Sequence, residues 1–117
     1  MKIKVKFRED RFSERRGGTS KALDIFCKNC GNLVLIYQKD GSGPLLRCYV
    51  DRILYQKNYL HKKIKYVRQM SKLTCNDCDT LIGIPMRYKR HGENRLAFSM
   101  IKGSFKERIS MQVKLTK

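Results

Sequence analysis

The chain has 117 residues, 41% of them hydrophobic, a length that suits one compact domain and would leave two halves without self-sufficient cores. Its longest apolar stretch, Leu33 to Tyr37, falls far short of the ~20 residues that span a bilayer as a helix, so no membrane partner is expected. Lys and Arg outnumber Asp and Glu by 27 to 10, and a net charge of +17 repels itself in a folded state, which calls for a polyanionic partner such as nucleic acid.

Met1-Lys2-Ile3-Lys4-Val5-Lys6-Phe7 alternates charged and apolar residues as an edge strand does, and lacks the continuous apolar segment of a secretory signal. A cytoplasmic, reducing location is the expectation. The polar run Arg8 to Lys21, with Arg15-Arg16-Gly17-Gly18-Thr19-Ser20 towards its end, reads as a tail that is mobile or ordered by a partner. The expected organisation is therefore a basic strand and flexible tail over 1–22 and a zinc-binding β domain over 23–117.

Ile25-Phe26 leads into Cys27-Lys28-Asn29-Cys30-Gly31, then the β-rich run Leu33-Val34-Leu35-Ile36-Tyr37 and a turn at Asp40-Gly41-Ser42-Gly43-Pro44, which predicts a knuckle, a strand and a tight reversal. Between Leu45 and Lys72 the chain becomes strongly basic, with Asp51 its single acid and Tyr49, Tyr55, Tyr59 and Tyr66 interspersed. Tyr49-Val50 and Ile64 to Val67 read as strand there, while Asp51 to Tyr59 suits a helical turn. The second half repeats the first in outline: Leu73-Thr74, Cys75-Asn76-Asp77-Cys78, the run Leu81-Ile82-Gly83-Ile84-Pro85-Met86 and a turn near His91-Gly92-Glu93-Asn94. Arg95 to Ile101 and Phe105 to Leu115 predict two closing strands, broken at Lys102-Gly103-Ser104. The fold class expected is mostly β, a small domain of antiparallel hairpins clamped by one four-cysteine zinc site.

Five cysteines, four of them in two C-x2-C pairs, fit metal binding in a reducing compartment better than a disulfide framework. Each C-x2-C turn puts two thiolates on a tight bend whose backbone N–H groups can face the sulfurs, so Cys27, Cys30, Cys75 and Cys78 together make a tetrahedral site for one structural Zn2+. The 44 residues between the inner cysteines exceed what a minimal ribbon needs, so the ion is expected to clamp two hairpins of a larger sheet. Four thiolates leave no open position for substrate or water, which argues for structure over catalysis; a redox use of the pairs, metal-free buried thiols, and iron in place of zinc are the competing chemistries. Cys48 stands outside the pattern, as a small buried hydrophobe would.

The two knuckles before apolar strands, the Asp40 to Pro44 turn and the late Arg95-Leu96-Ala97-Phe98-Ser99 resemble the β-tent group of zinc folds, which includes type B methionine sulfoxide reductases, Yippee proteins and the thalidomide-binding domain of cereblon. The resemblance covers roughly Phe26 to Phe105. It implies the metal and the fold. In the reductases the late strand carries a nucleophilic cysteine, where this chain has Ala97, Phe98 and Ser99, and Gly83-Ile84-Pro85-Met86 stands where they have a histidine. The chain has no tryptophan for a cereblon-type cage. No enzymatic activity is expected.

The expected function is RNA binding, within a ribonucleoprotein particle or beside the ribosome, with basic side chains on phosphates and tyrosines stacking on unpaired bases. The candidate contacts are Arg15, Arg16, Arg47, Arg52, Lys57, Tyr59, Lys62, Lys63, Lys65, Arg68, Lys72, Lys89 and Arg90. His61 and His91 are expected to be exposed bystanders. The alternatives are a DNA-binding regulator, although no helix suited to a major groove is evident, and a β-tent module that recognises a peptide or partner protein through Ile84-Pro85-Met86.

Overall fold

A computed structural model describes residues 2–17, 19–56 and 64–116. Ten strands and one short helix follow in order: β1 Ile3–Val5, α1 Arg11–Arg15, β2 Ser20–Cys27, β3 Leu33–Asp40, β4 Arg47–Tyr49, β5 Ile53–Gln56, β6 Leu73–Thr74, β7 Leu81–Tyr88, β8 Arg95–Met100, β9 Phe105–Ile109 and β10 Val113–Leu115. Single 3-10 turns occupy Val50–Arg52 and Val67–Gln69.

Two four-stranded antiparallel sheets carry the structure, one in the order β5-β3-β2-β9 and the other in the order β4-β8-β7-β6. Each holds one cysteine knuckle at the tip of a hairpin, β2–β3 in the first and β6–β7 in the second. The expected repeat of half-units is thus real in outline, with one strand exchanged each way: β4 of the first half joins the second sheet, and β9 of the second half joins the first. The knuckles sit on two sheets rather than on one larger sheet, as the spacing had suggested.

The core lies between the sheets. Leu23, Ile25 and Cys27 on β2 alternate inward and meet Leu35 and Tyr37 on β3, with Leu45, Cys48, Leu73, Cys75, Ile82 and Phe98 closing from the other side. Cys48 is fully buried there, and burial pushes its thiol pKa well up, as befits an inert core residue.

The opposite face of the first sheet is also buried and partly polar: Asp24, Gln38 and Asp40 alternate with the core residues beside Ala22 and Ile36. β1 and β10 form a parallel pair, Thr116 N–H donates to the Val5 carbonyl, and Gln112 Nε2 donates to Asp24 Oδ2 at 3.1 Å. Arg8 and Asp10, in the run expected as a tail that is mobile or ordered by a partner, are instead fastened to this side, and Arg15 and Arg16 further along reach His91 and Glu93. The Arg8 N–H donates to Gln38 Oε1 and the Arg8 carbonyl accepts from Gln38 Nε2, both at 2.8 Å. Asp10 caps α1 through the N–H groups of Phe12 and Ser13 while Ser13 Oγ accepts from the Asp10 N–H, a reciprocal cap that starts a helix of only five residues. Arg8, Glu9, Arg11, Glu14 and Arg15 keep exposed side chains, while Ser13 is buried and Asp10 and Arg16 are partly so, as in a segment docked along a surface.

Three other expectations shift. Ile64 to Val67 forms no strand, Ile53–Gln56 is strand rather than helical turn, and the chain after β3 does not reverse into a hairpin with β4, which pairs with β8 instead. The Asp40 to Pro44 turn carries the chain across to the second sheet. No helix among the described residues is long and apolar enough to cross a membrane.

Candidate metal centre and basic surface

The two knuckles are built alike. Cys27 N–H donates to the Asn32 carbonyl and Gly31 N–H to the Cys27 carbonyl, at 2.8 Å each; Cys75 N–H donates to the Thr80 carbonyl and Asp79 N–H to the Cys75 carbonyl, at 2.9 Å each. The fifth position of each turn has a left-handed backbone, φ 79° at Gly31 and 62° at Asp79, a region that glycine enters freely and aspartate tolerates. The turns aim all four sulfurs at one point. They lie within 4.8 Å of one another, with Cys27 and Cys78 Sγ 3.6 Å apart and Cys30 and Cys75 Sγ 3.5 Å apart. A tetrahedron of Zn–S bonds of about 2.3 Å has sulfur–sulfur edges of about 3.8 Å, so the cluster can hold one zinc ion with little adjustment.

Neighbouring donors favour the thiolate at Cys78 and Cys27. Thr80 hydroxyl lies 3.0 Å from Cys78 Sγ and, with the Thr80 N–H, lowers the Cys78 pKa to about 6. Asn29 Nδ2 reaches the same sulfur and also donates to Thr80 Oγ1, bridging the two knuckles. Burial opposes ionisation of Cys27, yet the N–H groups of Cys30 and Asn29 bring its pKa down. At Cys30 the Asn32 N–H favours the thiolate, but desolvation and the adjacent thiols prevail and raise the pKa to about 12, so a bound ion must displace that proton. Asn32 and Thr80 hold equivalent places two residues after the second cysteine of each pair, a correspondence visible once the knuckles are aligned.

Comparison with protein-family models, curated proteins and solved structures returned no match.

The basic residues divide into three groups. Arg52 is no surface contact: its side chain is wholly buried, Nε donates to Asp40 Oδ2 at 2.7 Å, and one terminal nitrogen donates to Asp10 Oδ1 at 2.6 Å. The sequence signal that misleads is composition alone, since an arginine in a basic stretch looks the same whether or not distant acids claim it.

Arg15 and Arg16 sit at a second ionic centre, and Arg47 adjoins it through the Tyr49 hydroxyl. Glu93 is buried and accepts a pair of bonds at 3.2 Å from Arg16 and one at 3.3 Å from Arg95, with Arg15 at 3.5 Å. Arg15 also donates to the His91 carbonyl. Arg95 is buried, with its guanidinium between the rings of Tyr49 and Phe12, at 3.7 and 4.1 Å, and donates to Asp51 at 2.8 Å. Arg47 lies 4.4 Å over the Tyr88 ring.

Lys65, Arg68, Lys72, Lys89 and Arg90 are exposed. Arg87 on β7 donates to the Lys65 carbonyl at 2.8 Å, fixing Lys65, Tyr66 and Arg68 beside that strand. Arg68 stacks over Tyr66, which is 48% exposed. Lys57, Tyr59, Lys62 and Lys63, and also His61, lie outside the described residues. His91 is exposed in the β7–β8 turn.

The ionic centres make stability depend on acid. Burial would raise the carboxyl pKa values of Asp10 and Glu93, but hydrogen bonds from Arg52 to the one and from Arg16 and Arg95 to the other bring both below their ordinary 3.8 and 4.5. The unfolded chain then binds more protons than the folded one in this range. Stability from these groups is full above about pH 5 and is lost as pH falls through the lowered native values. Urea midpoints measured from pH 6 to pH 3 should decline on this account, and Glu93→Gln should flatten the decline while lowering the starting value.

Proposed function

We propose that the chain is a non-catalytic RNA-binding protein of the β-tent kind, acting in the cytoplasm, in which zinc braces a basic platform. The observation that carries this reading is where the acids are. Every ion pair among the described residues is made by an arginine, and the carboxylates concerned are mostly buried. Three buried acids, Asp24, Asp40 and Glu93, face two buried arginines, Arg52 and Arg95, so the described interior carries −1 and the surface is more positive than the chain's +17. Lysines are left for an outside polyanion. Tyr66 and Arg68 add an exposed aromatic face under a guanidinium, which suits stacking on an unpaired base.

The β-tent assignment is supported by two antiparallel sheets joined through paired knuckles. The absence of chemistry is supported by the closed four-sulfur shell and by Ala97, Phe98 and Ser99 on β8, which occupy the region where the reductases carry their nucleophilic cysteine. Ile84 is 39% exposed with Pro85 and Met86 half-buried, too little apolar surface to favour a peptide-binding module over RNA.

Fluorescence anisotropy with a single-stranded RNA tests the reading. If about four phosphates are neutralised, a slope of about −0.7 per contact weakens binding about 50-fold between about 50 and 200 mM salt. Arg68→Ala should reduce that slope by about one contact. Binding indifferent to salt, or preference for duplex DNA over RNA, would reject it.

A further inference from the structure

A cleft of about 270 Å3 opens where the loop after β3 passes the C-terminal end of α1 and the start of β4. Arg16, Lys39 and Arg47 reach it from three separate elements, with Tyr49 in the wall and Leu46 at the rim. That volume lies just below the range of about 300 to 1,000 Å3 usual for small-molecule sites.

The charges around the cleft do not cancel. Asp40 is the only carboxylate in its lining, and both its oxygens face inward, one accepting from Arg52 and the other from Ser20 Oγ at 2.6 Å and Gln38 Nε2 at 2.9 Å. Arg16 is matched by Glu93. Lys39 makes no ion pair among the described residues: its ammonium meets the carbonyls of Asp40, Gly41 and Ser42, at 3.3 to 3.5 Å. Arg47 has none either. Its Nε donates to Tyr49 Oη at 3.2 Å and its plane rests on Tyr88, while its terminal nitrogens find no acceptor among the described residues.

The two unmatched cations are also held in place. Tyr49 Oη accepts from both Arg16 and Arg47, tying the walls together. Gly41, at φ 75°, lets the loop approach so closely that a Cβ there would lie 2.6 Å from the Arg16 carbonyl. Burial and the nearby charges of Lys21 and Arg16 lower the Lys39 pKa, although Glu107 and Asp40 oppose that shift, and a bound anion would relieve the strain.

We propose that this cleft is a phosphomonoester site, taking the terminal phosphate of an RNA or the phosphate of a free nucleotide. Two unmatched positive charges suit the near-dianion of a monoester, where an internal phosphodiester brings one charge. Arg47 offers a fork of N–H groups to two phosphate oxygens and Lys39 a point charge. Leu46, 58% exposed at the rim, gives the attached sugar or base an apolar surface. The RNA source rests on the RNA-binding reading; the nucleotide source does not.

The test uses the zinc-loaded full chain with a short oligouridine bearing no terminal phosphate, a 5′-phosphate or a 3′-phosphate, and with uridine monophosphate alone. Lys39→Gln and Arg47→Gln are compared after zinc content and circular dichroism show them folded, and amide shifts of Gly41 and Ser42 report occupancy of the wild-type cleft independently of either variant. A terminal phosphate should tighten RNA binding about tenfold, with the gain lost in either variant. Nucleotide binding that moves the loop amides and needs the same two cations would support the site and identify a free nucleotide as its ligand, whether or not RNA binds. RNA binding that ignores the terminal phosphate, with no nucleotide bound, would overturn the site and leave RNA binding standing. Failure of both ligands would overturn the two together.

Discussion

Cys75→Ala should yield a chain that retains no zinc and shows no cooperative unfolding transition. Cys75 is fully buried where the two sheets meet, and its sulfur lies 3.5 Å from that of Cys30 on the other knuckle. Structural zinc contributes on the order of 10–16 kcal/mol to small domains of this kind, as much as the ~5–15 kcal/mol by which whole domains are stable. With three thiolates left, the ion loses a quarter of its shell and the knuckles lose the clamp that fastens one end of the core the two sheets share. Cys48→Ala is the control. That side chain is equally buried but outside the cluster, so the variant should lose packing alone, keep one zinc per chain and unfold cooperatively. Metal analysis with thermal circular dichroism decides the matter: a Cys75→Ala protein that stayed folded without metal would show that the sheets hold together unaided.

The four zinc ligands were legible because their information is local. A C-x2-C pair folds its own knuckle through bonds spanning four or five residues, and two pairs need only be brought together. The long strands β3, β7 and β8 were legible for the same reason, the first two marked by runs of apolar and β-branched residues and the third by alternation. What stayed hidden depends on pairings far apart in sequence. Arg52 looks like a surface cation until Asp10, 42 residues away, and Asp40, 12 away, take up its donors. Arg8 and Asp10 look like part of a tail because the partners that hold them, Gln38 and Arg52, are polar residues that read as solvent-facing. Lys39 likewise became a candidate only when the fold set it opposite Arg16 and Arg47. A basic composition indicates that polyanions are attracted; which cations remain free to attract them is settled by where the acids fold.

Arg52→Ala should destabilise the domain by about 3–5 kcal/mol, the cost usual for removing one partner of a buried ion pair. The side chain is completely enclosed and joins three elements: the cap of α1 through Asp10, the end of β3 through Asp40, and its own 3-10 turn, where Asp51 lies 3.9 Å away. Its loss leaves Asp40, 8% exposed, with only Ser20 and Gln38 as donors, and uncouples Asp10 from the helix it caps. Arg52→Lys keeps the charge but cannot direct separate N–H groups at Asp10 and Asp40, so it should recover part of the loss and no more. The damage should also be acid-sensitive. Burial would raise the Asp10 pKa, but the hydrogen bond and charge of Arg52 help hold it below its ordinary value, so the stability it contributes is lost as pH falls and the difference between variant and wild type should narrow below about pH 5. Urea unfolding of the three proteins at pH 7 and pH 4 measures both effects. A loss below about 1 kcal/mol at pH 7, or a difference independent of pH, would mean that water or local rearrangement satisfies Asp10 and Asp40, and that the buried arginine sets the position of the N-terminal segment without stabilising it.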